Sequence, residues 1–304
     1  MTENFLRFWG VRGSYPSPYP SHMGIGGNTP CVELRLGDEI VILDAGTGII
    51  PLGNQLASQT ELRRLHILLT HYHWDHISGL PFFVPAFMPG FEISMHGPAE
   101  SAEELKGHLD AQMRAPYFPV ETETWLASID YFAGNDRPIK VGPASISTFV
   151  LHHPGLTVGY RIEIAGRVIL YAPDNEVFFI NQSIDKRKDE FDEEERSLLE
   201  VMKAEHKLRV IEFMQDADIL IHDAQYTPKD YSAKRGWGHS CYIDTVNAAI
   251  DAGVKDLFLF SYDPNYDDNA IAALHQSTLD IITERCSQLR CHMTHEGLIV
   301  PIGG

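Results

Sequence analysis

The run His71-Tyr72-His73-Trp74-Asp75-His76 follows directly on the apolar segment Leu65 to Thr70 (LHILLT), and this pairing constrains the chain more than any other feature. Six mostly apolar residues in a row read as a strand buried on both faces. A chain that leaves such a strand into a tight loop turns His71, His73, Asp75 and His76 toward one point. Imidazoles and carboxylates at this density suit zinc, manganese or iron(II). The plain alternative is a histidine-rich surface turn. The pattern H-x-H-x-D-H at a strand end argues against it.

Further ligand-type residues stand just beyond other strand-like runs. His153 lies in Leu151-His152-His153-Pro154-Gly155, after Ser145 to Val150, with His152 as its rival. Asp174 lies in Ala172-Pro173-Asp174-Asn175-Glu176, after Val168 to Tyr171, and His239 lies in Gly236-Trp237-Gly238-His239-Ser240. Strands are also expected at Phe5 to Trp9, Cys31 to Leu36, Glu39 to Leu43, Ile93 to His96, Val158 to Ile164, Ala217 to Ile221 and Leu257 to Phe260. Gly37-Asp38 closes a hairpin. Helices are expected at Ser101 to Gln112, Glu193 to Gln215, Ile243 to Ala252 and Ala270 to Arg285. Ser240 is the candidate cap of the third, and Gly253 its stop. Two sheets facing each other with helices outside would use this many strands.

Charge narrows the partners. Lys and Arg number 24 against 42 Asp and Glu, a formal charge of −18. Such a field repels polyanions at long range. Long nucleic acid is therefore disfavoured as substrate, whereas a small anion can be held by metal charge. The acidic stretch Asp185 to Glu195 reads as a solvated loop entering a helix, with a partner-binding arm as the sharper alternative. Four cysteines match no zinc-finger spacing and read as reduced thiols. No apolar stretch approaches membrane-spanning length. The opening Met1-Thr2-Glu3-Asn4-Phe5 lacks a secretory signal, so a cytoplasmic location is expected.

The chain resembles the metallo-β-lactamase-fold hydrolases, in the branch of ribonuclease Z-like and cyclic-nucleotide phosphodiesterases. The likeness runs through Phe8-Trp9-Gly10-Val11-Arg12-Gly13-Ser14, Gly26-Gly27-Asn28-Thr29, Leu43-Asp44-Ala45-Gly46-Thr47-Gly48, the histidine run, Tyr171 to Asp174 and Gly236 to Ser240. It implies one domain over residues 1–304 with a four-layer αββα sandwich, two mixed β-sheets with helices outside. It also implies two divalent metal ions, zinc first, with manganese or iron as alternatives. His71, His73 and His153 would hold the first ion, Asp75 and His76 the second, and Asp174 would bridge them. The family's His-Pro-Gly pattern favours His153 over His152. Asp44 would support the histidine loop from behind. One departure concerns the last histidine of the second site, whose position is taken by Ser261. Asp263 or a water would fill the gap.

Two such ions clamp a phosphoryl group and acidify a bridging water, whose hydroxide attacks phosphorus. The leaving alkoxide then needs a proton, for which His239 is the candidate, with Asp223 as its partner. Asp75, His239 and Asp223 are thus the candidate catalytic groups. His222 reads as a satisfied buried histidine. Arg12 and Asn28 divide evenly between substrate contact and structural turns. The expected function is a phosphodiesterase acting on a small or cyclic phosphodiester, without a membrane. Homodimerisation is implied by the resemblance alone. The alternatives are a lactamase, lactonase or thioesterase of the same fold, or a metal-binding module without turnover.

Overall fold

A computed structural model describes residues 4–59, 64–134, 138–187 and 190–303. Residues 1–3, in the opening segment, and 188–189, in the acidic stretch, lie outside it. The strands are β1 (Phe5–Gly10), β2 (Cys31–Leu36), β3 (Glu39–Leu43), β4 (Arg64–Leu68), β5 (Glu92–Gly97), β6 (Ser128–Ala133), β7 (Ile139–Val141), β8 (Ala144–Val150), β9 (Val158–Ile164), β10 (Arg167–Ala172), β11 (Ile219–Asp223), β12 (Asp256–Phe260), β13 (Arg290–Met293) and β14 (Ile299–Pro301). The helices are α1 (Ile49–Ala57), α2 (Trp74–Ile77), α3 (Ala102–Gln112), α4 (Phe179–Arg187), α5 (Glu193–Met214), α6 (Pro228–Lys234), α7 (Tyr242–Asp251) and α8 (Asp268–Glu284).

The strands form two seven-stranded mixed sheets, in the orders β14-β1-β2-β3-β4-β5-β6 and β13-β12-β11-β10-β9-β8-β7. In the first, β3, β4, β5 and β6 run parallel. In the second, β10, β11, β12 and β13 do. Each remaining pair is antiparallel.

Two cores explain the unbroken apolar runs. Val41 and Leu43 of β3 and Leu68 of β4 join Ile162, Ile169 and Ile221 between the sheets. Ile40, Ile42, Leu65 and Ile67 point the other way, onto Leu52 and Leu56 of α1 and Leu105 and Leu109 of α3. Val246 and Ala249 of α7 and Ile271 of α8 cover the second sheet. Strands buried on both faces need apolar residues at every position. The result is the expected αββα sandwich.

Local signals were uneven. Ser101 caps α3 by accepting from Glu104 N, and Asp192 opens α5 with a capping box. The acidic stretch thus runs into a helix, but its first residues, Asp185 to Arg187, close α4 instead of forming a loop. Ser240 does not cap α7. Cys241 holds that position, and Ser240 Oγ donates instead to Asn175 O. All four cysteines are free. No helix among the described residues is long and apolar enough to cross a membrane.

Candidate metal centre

The centre lies where parallel strands of both sheets end. From the first sheet, β3 delivers Asp44 and β4 delivers the histidine run, with Asp75 and His76 in α2. From the second, β8 leads to His153, β10 to Asp174, β11 to Asp223 and β12 to Ser261. Asp44 and Ser261 have positive φ, at 60° and 57°. Each turns the chain sharply at a strand end, a conformation found more readily at functional sites than in ordinary loops.

Asp44 is fully buried and organises the histidine loop. It accepts from Thr70 N (2.8 Å), Thr70 Oγ1 (3.0 Å) and Tyr171 Oη (2.9 Å), and His76 Nδ1 lies 2.8 Å away. Thr70 gives its one hydroxyl proton to Asp44, so the same oxygen accepts from His71 Nδ1 at 3.0 Å. His153 Nδ1 lies 2.8 Å from Gly238 O, which can only accept. Both imidazoles therefore carry their proton on Nδ1 and present a bare Nε2 to the centre. Those two nitrogens each lie 2.9 Å from His73 Nδ1.

Three imidazole nitrogens within hydrogen-bond distance have too few protons among them to satisfy one another. Such a convergence fits a cation. Asp174 Oδ2 stands 3.7 Å from both His71 Nε2 and His153 Nε2. The same oxygen is 3.2 Å from His76 Nε2, which is itself 3.5 Å from Asp75 Oδ2. His71, His73 and His153 form one ligand-competent group, His71, His76 and Asp174 a second, and His153, Asp174 and His239 a third. The donor set fits divalent metal ions.

Electrostatics divide the candidate ligands. Burial, with the charge of His76, drives the His71 pKa well below that of an ordinary imidazole, although Asp174 opposes it. Burial likewise lowers His153, to about 4. Both are neutral at pH 7, as ligation requires. For His76 burial is outweighed by Asp174, Asp44 and Asp75, and its pKa is raised. Burial would raise Asp174, but His76 and His239 hold it well below the usual carboxylate range.

His239 and Asp223 form a buried pair beside this set, Nδ1 to Oδ2 at 2.6 Å, with His239 Nε2 4.0 Å from Asp174 Oδ2. Burial opposes the charge of His239, yet Asp223 and Asp174 outweigh it and lift the pKa to about 9. Burial raises Asp223 to about 6. The carboxylate of Asp223 thus favours the imidazolium form of His239, in keeping with its expected part as a proton donor.

Other expected residues go elsewhere. His152 stacks on Phe179, 4.5 Å between ring centroids, and is outside the ligand groups. Asp263 must be corrected. Its Oδ2 binds Lys234 Nζ at 2.6 Å and its Oδ1 accepts from Asn265 N and Nδ2, so it is not turned to the metal ligands. Ser261 Oγ instead lies 3.2 Å from Asp174 Oδ1. Arg12 is fully buried and structural, with Nε donating to Gly26 O and Nη1 to Tyr266 O. Asn28 is tied to Glu296 through N and Nδ2. His222 is satisfied, with Nδ1 donating to Asp223 O and Nε2 accepting from Asn175 Nδ2. Sequence reasoning missed Thr70, Asn175, Glu176 and Ser240 as organisers of the centre. A buried hydroxyl between two ligand-bearing segments carries no local pattern.

Residues 40–193 match the family described as Beta-lactamase superfamily domain. The chain belongs to that superfamily. Ribonuclease Z of Thermoplasma acidophilum is 24% identical over 287 residues, covering 87% of this chain and 88% of that one. Ribonuclease Z of Kineococcus radiotolerans is 24% identical over 329 aligned positions, covering 99% and 96%. The metallo-beta-lactamase fold protein YhfI from Bacillus subtilis aligns with a TM-score of 0.65 at 16% identity, over 98% of this chain and 99% of that one. This superfamily member is a hydrolase of the metallo-β-lactamase fold, with histidine and aspartate clusters suited to divalent metal ions.

Proposed function

We propose that the hydrolase is a metal-dependent phosphodiesterase acting on a small or cyclic phosphodiester. His71, His73, His153 and Asp174 would hold one divalent ion, and Asp75, His76 and Asp174 a second. Zinc suits the nitrogen-rich set, and manganese or iron(II) the oxygen-rich one. Ions bound there supply positive charge to an anionic phosphoryl group and acidify water.

The observation that carries the reading is the His239–Asp223 pair. Asp223 fixes the ring by Nδ1 at 2.6 Å and its charge favours the imidazolium, while Nε2 lies beside Asp174. A protonated Nε2 there can pass its proton to a leaving alkoxide oxygen, and Asp223 supports the proton held on Nδ1. Alkoxides need that proton, whereas a thiolate leaves without one, which favours an oxygen ester over a thioester. The charge of −18 favours a small ester over long RNA. The relatives' name, ribonuclease Z, supports phosphodiester chemistry.

A panel of bis(p-nitrophenyl) phosphate, an alkyl aryl phosphodiester, a lactone, a thioester and a structured RNA tests this. The small phosphodiesters should be the best substrates. His239→Ala should lose about 10²- to 10⁴-fold where the leaving group is poor, with metal content kept. Faster turnover of the lactone, the thioester or the RNA would overturn the reading.

A further inference from the structure

We propose that Glu176 is a positioning residue that sets His239 and His153 in place through the backbone of residues 236–238. The inference rests on the reading of His239 as proton donor. Glu176 lies two residues after Asp174, is fully buried, and belongs to none of the metal-ligand groups. Its Oε1 accepts from Tyr231 Oη (2.8 Å) and Gly236 N (2.8 Å), and its Oε2 from Gly238 N (2.9 Å). One carboxylate thus gathers the middle of α6 and two peptide N–H groups of the glycine loop.

That loop serves both halves of the chemistry. Gly238 O receives His153 Nδ1 at 2.8 Å, which fixes the tautomer that bares Nε2. The next residue is His239. The approach is close enough that a Cβ on Gly238, whose φ is +89°, would stand 2.3 Å from His153 Nδ1. A shift of a few tenths of an ångström in the loop therefore reaches a ligand and the proton donor together. Without the carboxylate, two loop N–H groups lose their acceptor, a cost that drives the loop out of position. Glutamine keeps the volume but offers one oxygen, and turns an NH₂ toward N–H donors.

The test compares p-nitrophenyl and phenyl esters of methyl phosphate, on enzyme of measured metal content. Glu176→Gln should lose about 10- to 100-fold on the phenyl ester, which needs the proton, and no more than about three-fold on the p-nitrophenyl ester. Adding Glu176→Gln to His239→Ala should cost no more than about three-fold further, the share that runs through His153, because the share through His239 is already lost. Equal losses on the two esters, or multiplying losses in the double variant, would overturn the proposal. A second readout needs no turnover. In cobalt(II)-loaded protein, Glu176→Gln should shift the visible d–d bands as the support of His153 moves, and Tyr231→Phe should shift them less in the same direction. Tyr231→Phe carries both measurements if Glu176→Gln fails to fold. Unchanged bands would sink the role of Glu176 even if no phosphodiester were turned over, an outcome that by itself would fell only the phosphodiesterase reading.

Discussion

The two halves of the metal centre are built on different principles. In the half around His71, His73 and His153, neutral partners orient the rings. Thr70 accepts from His71 Nδ1 and Gly238 O from His153 Nδ1, and burial keeps both imidazoles uncharged. In the half around His76, charge does the orienting. His76 sits between Asp44, 2.8 Å from Nδ1, and Asp174, 3.2 Å from Nε2, and Asp75 completes the set. Where the resemblance implied one more imidazole, Ser261 stands. The first half is therefore pre-set to donate nitrogen lone pairs, and the second to offer hard oxygen to a cation.

The largest effect should come from the residue both halves share. If the halves bind metal as proposed, Asp174→Ala should lower phosphodiester turnover by at least about 10³-fold, since it would remove a ligand from each half rather than a support. A loss under ten-fold by initial rates would dissolve the idea of a shared carboxylate. Ser261→His should narrow the difference between the halves. Histidine tolerates positive φ better than bulky residues do, and an added imidazole should tighten zinc in the weaker site by about ten-fold or more in chelator competition. Unchanged zinc affinity would mean that position 261 does not border the second half.

A smaller effect separates the centre from its supporting shell. Burial holds the His222 pKa near 4 against an ordinary 6.5, and its Nε2 already accepts from Asn175 Nδ2, so a proton there would confront a donor. The folded pKa is depressed, so this stability is present above pH 6.5 and lost as pH falls through 4. In metal-stripped protein, urea unfolding at pH 7 and pH 4.5 should show a drop that His222→Gln reduces by on the order of 2 kcal/mol. An identical drop in the variant would place the acid sensitivity elsewhere. The smallest effect is expected at Asp263, whose oxygens serve Lys234 and Asn265. Asp263→Asn should change bound metal by less than about two-fold, and loss of an ion would restore Asp263 as a ligand.

What could be read in advance follows from where each signal resides. Runs such as Ile40 to Leu43 and Leu65 to Leu68 announce themselves because both faces are buried, in separate cores. Half-exposed β6, with its alternating SIDYFA, and the three-residue strands β7 and β14 do not. Helix α1 was hidden by Pro51 and Gly53 within it, and α4 by having no fully buried residue. The candidate ligand residues were visible because their chemistry is crowded into strand ends. Glu176 was not, since its donors, Tyr231, Gly236 and Gly238, lie more than fifty positions away. Asp263 misled for the converse reason. Its place in the chain matched the gap, but Lys234 draws its carboxylate aside.

The central claim is that side chains from both sheets jointly bind divalent cations, and counting those ions tests it most directly. Purified protein stripped of metal, re-equilibrated with zinc or manganese and weighed by native mass spectrometry should hold two ions per chain, and His73→Ala should hold fewer. A wild-type chain that stays folded yet retains none would contradict it.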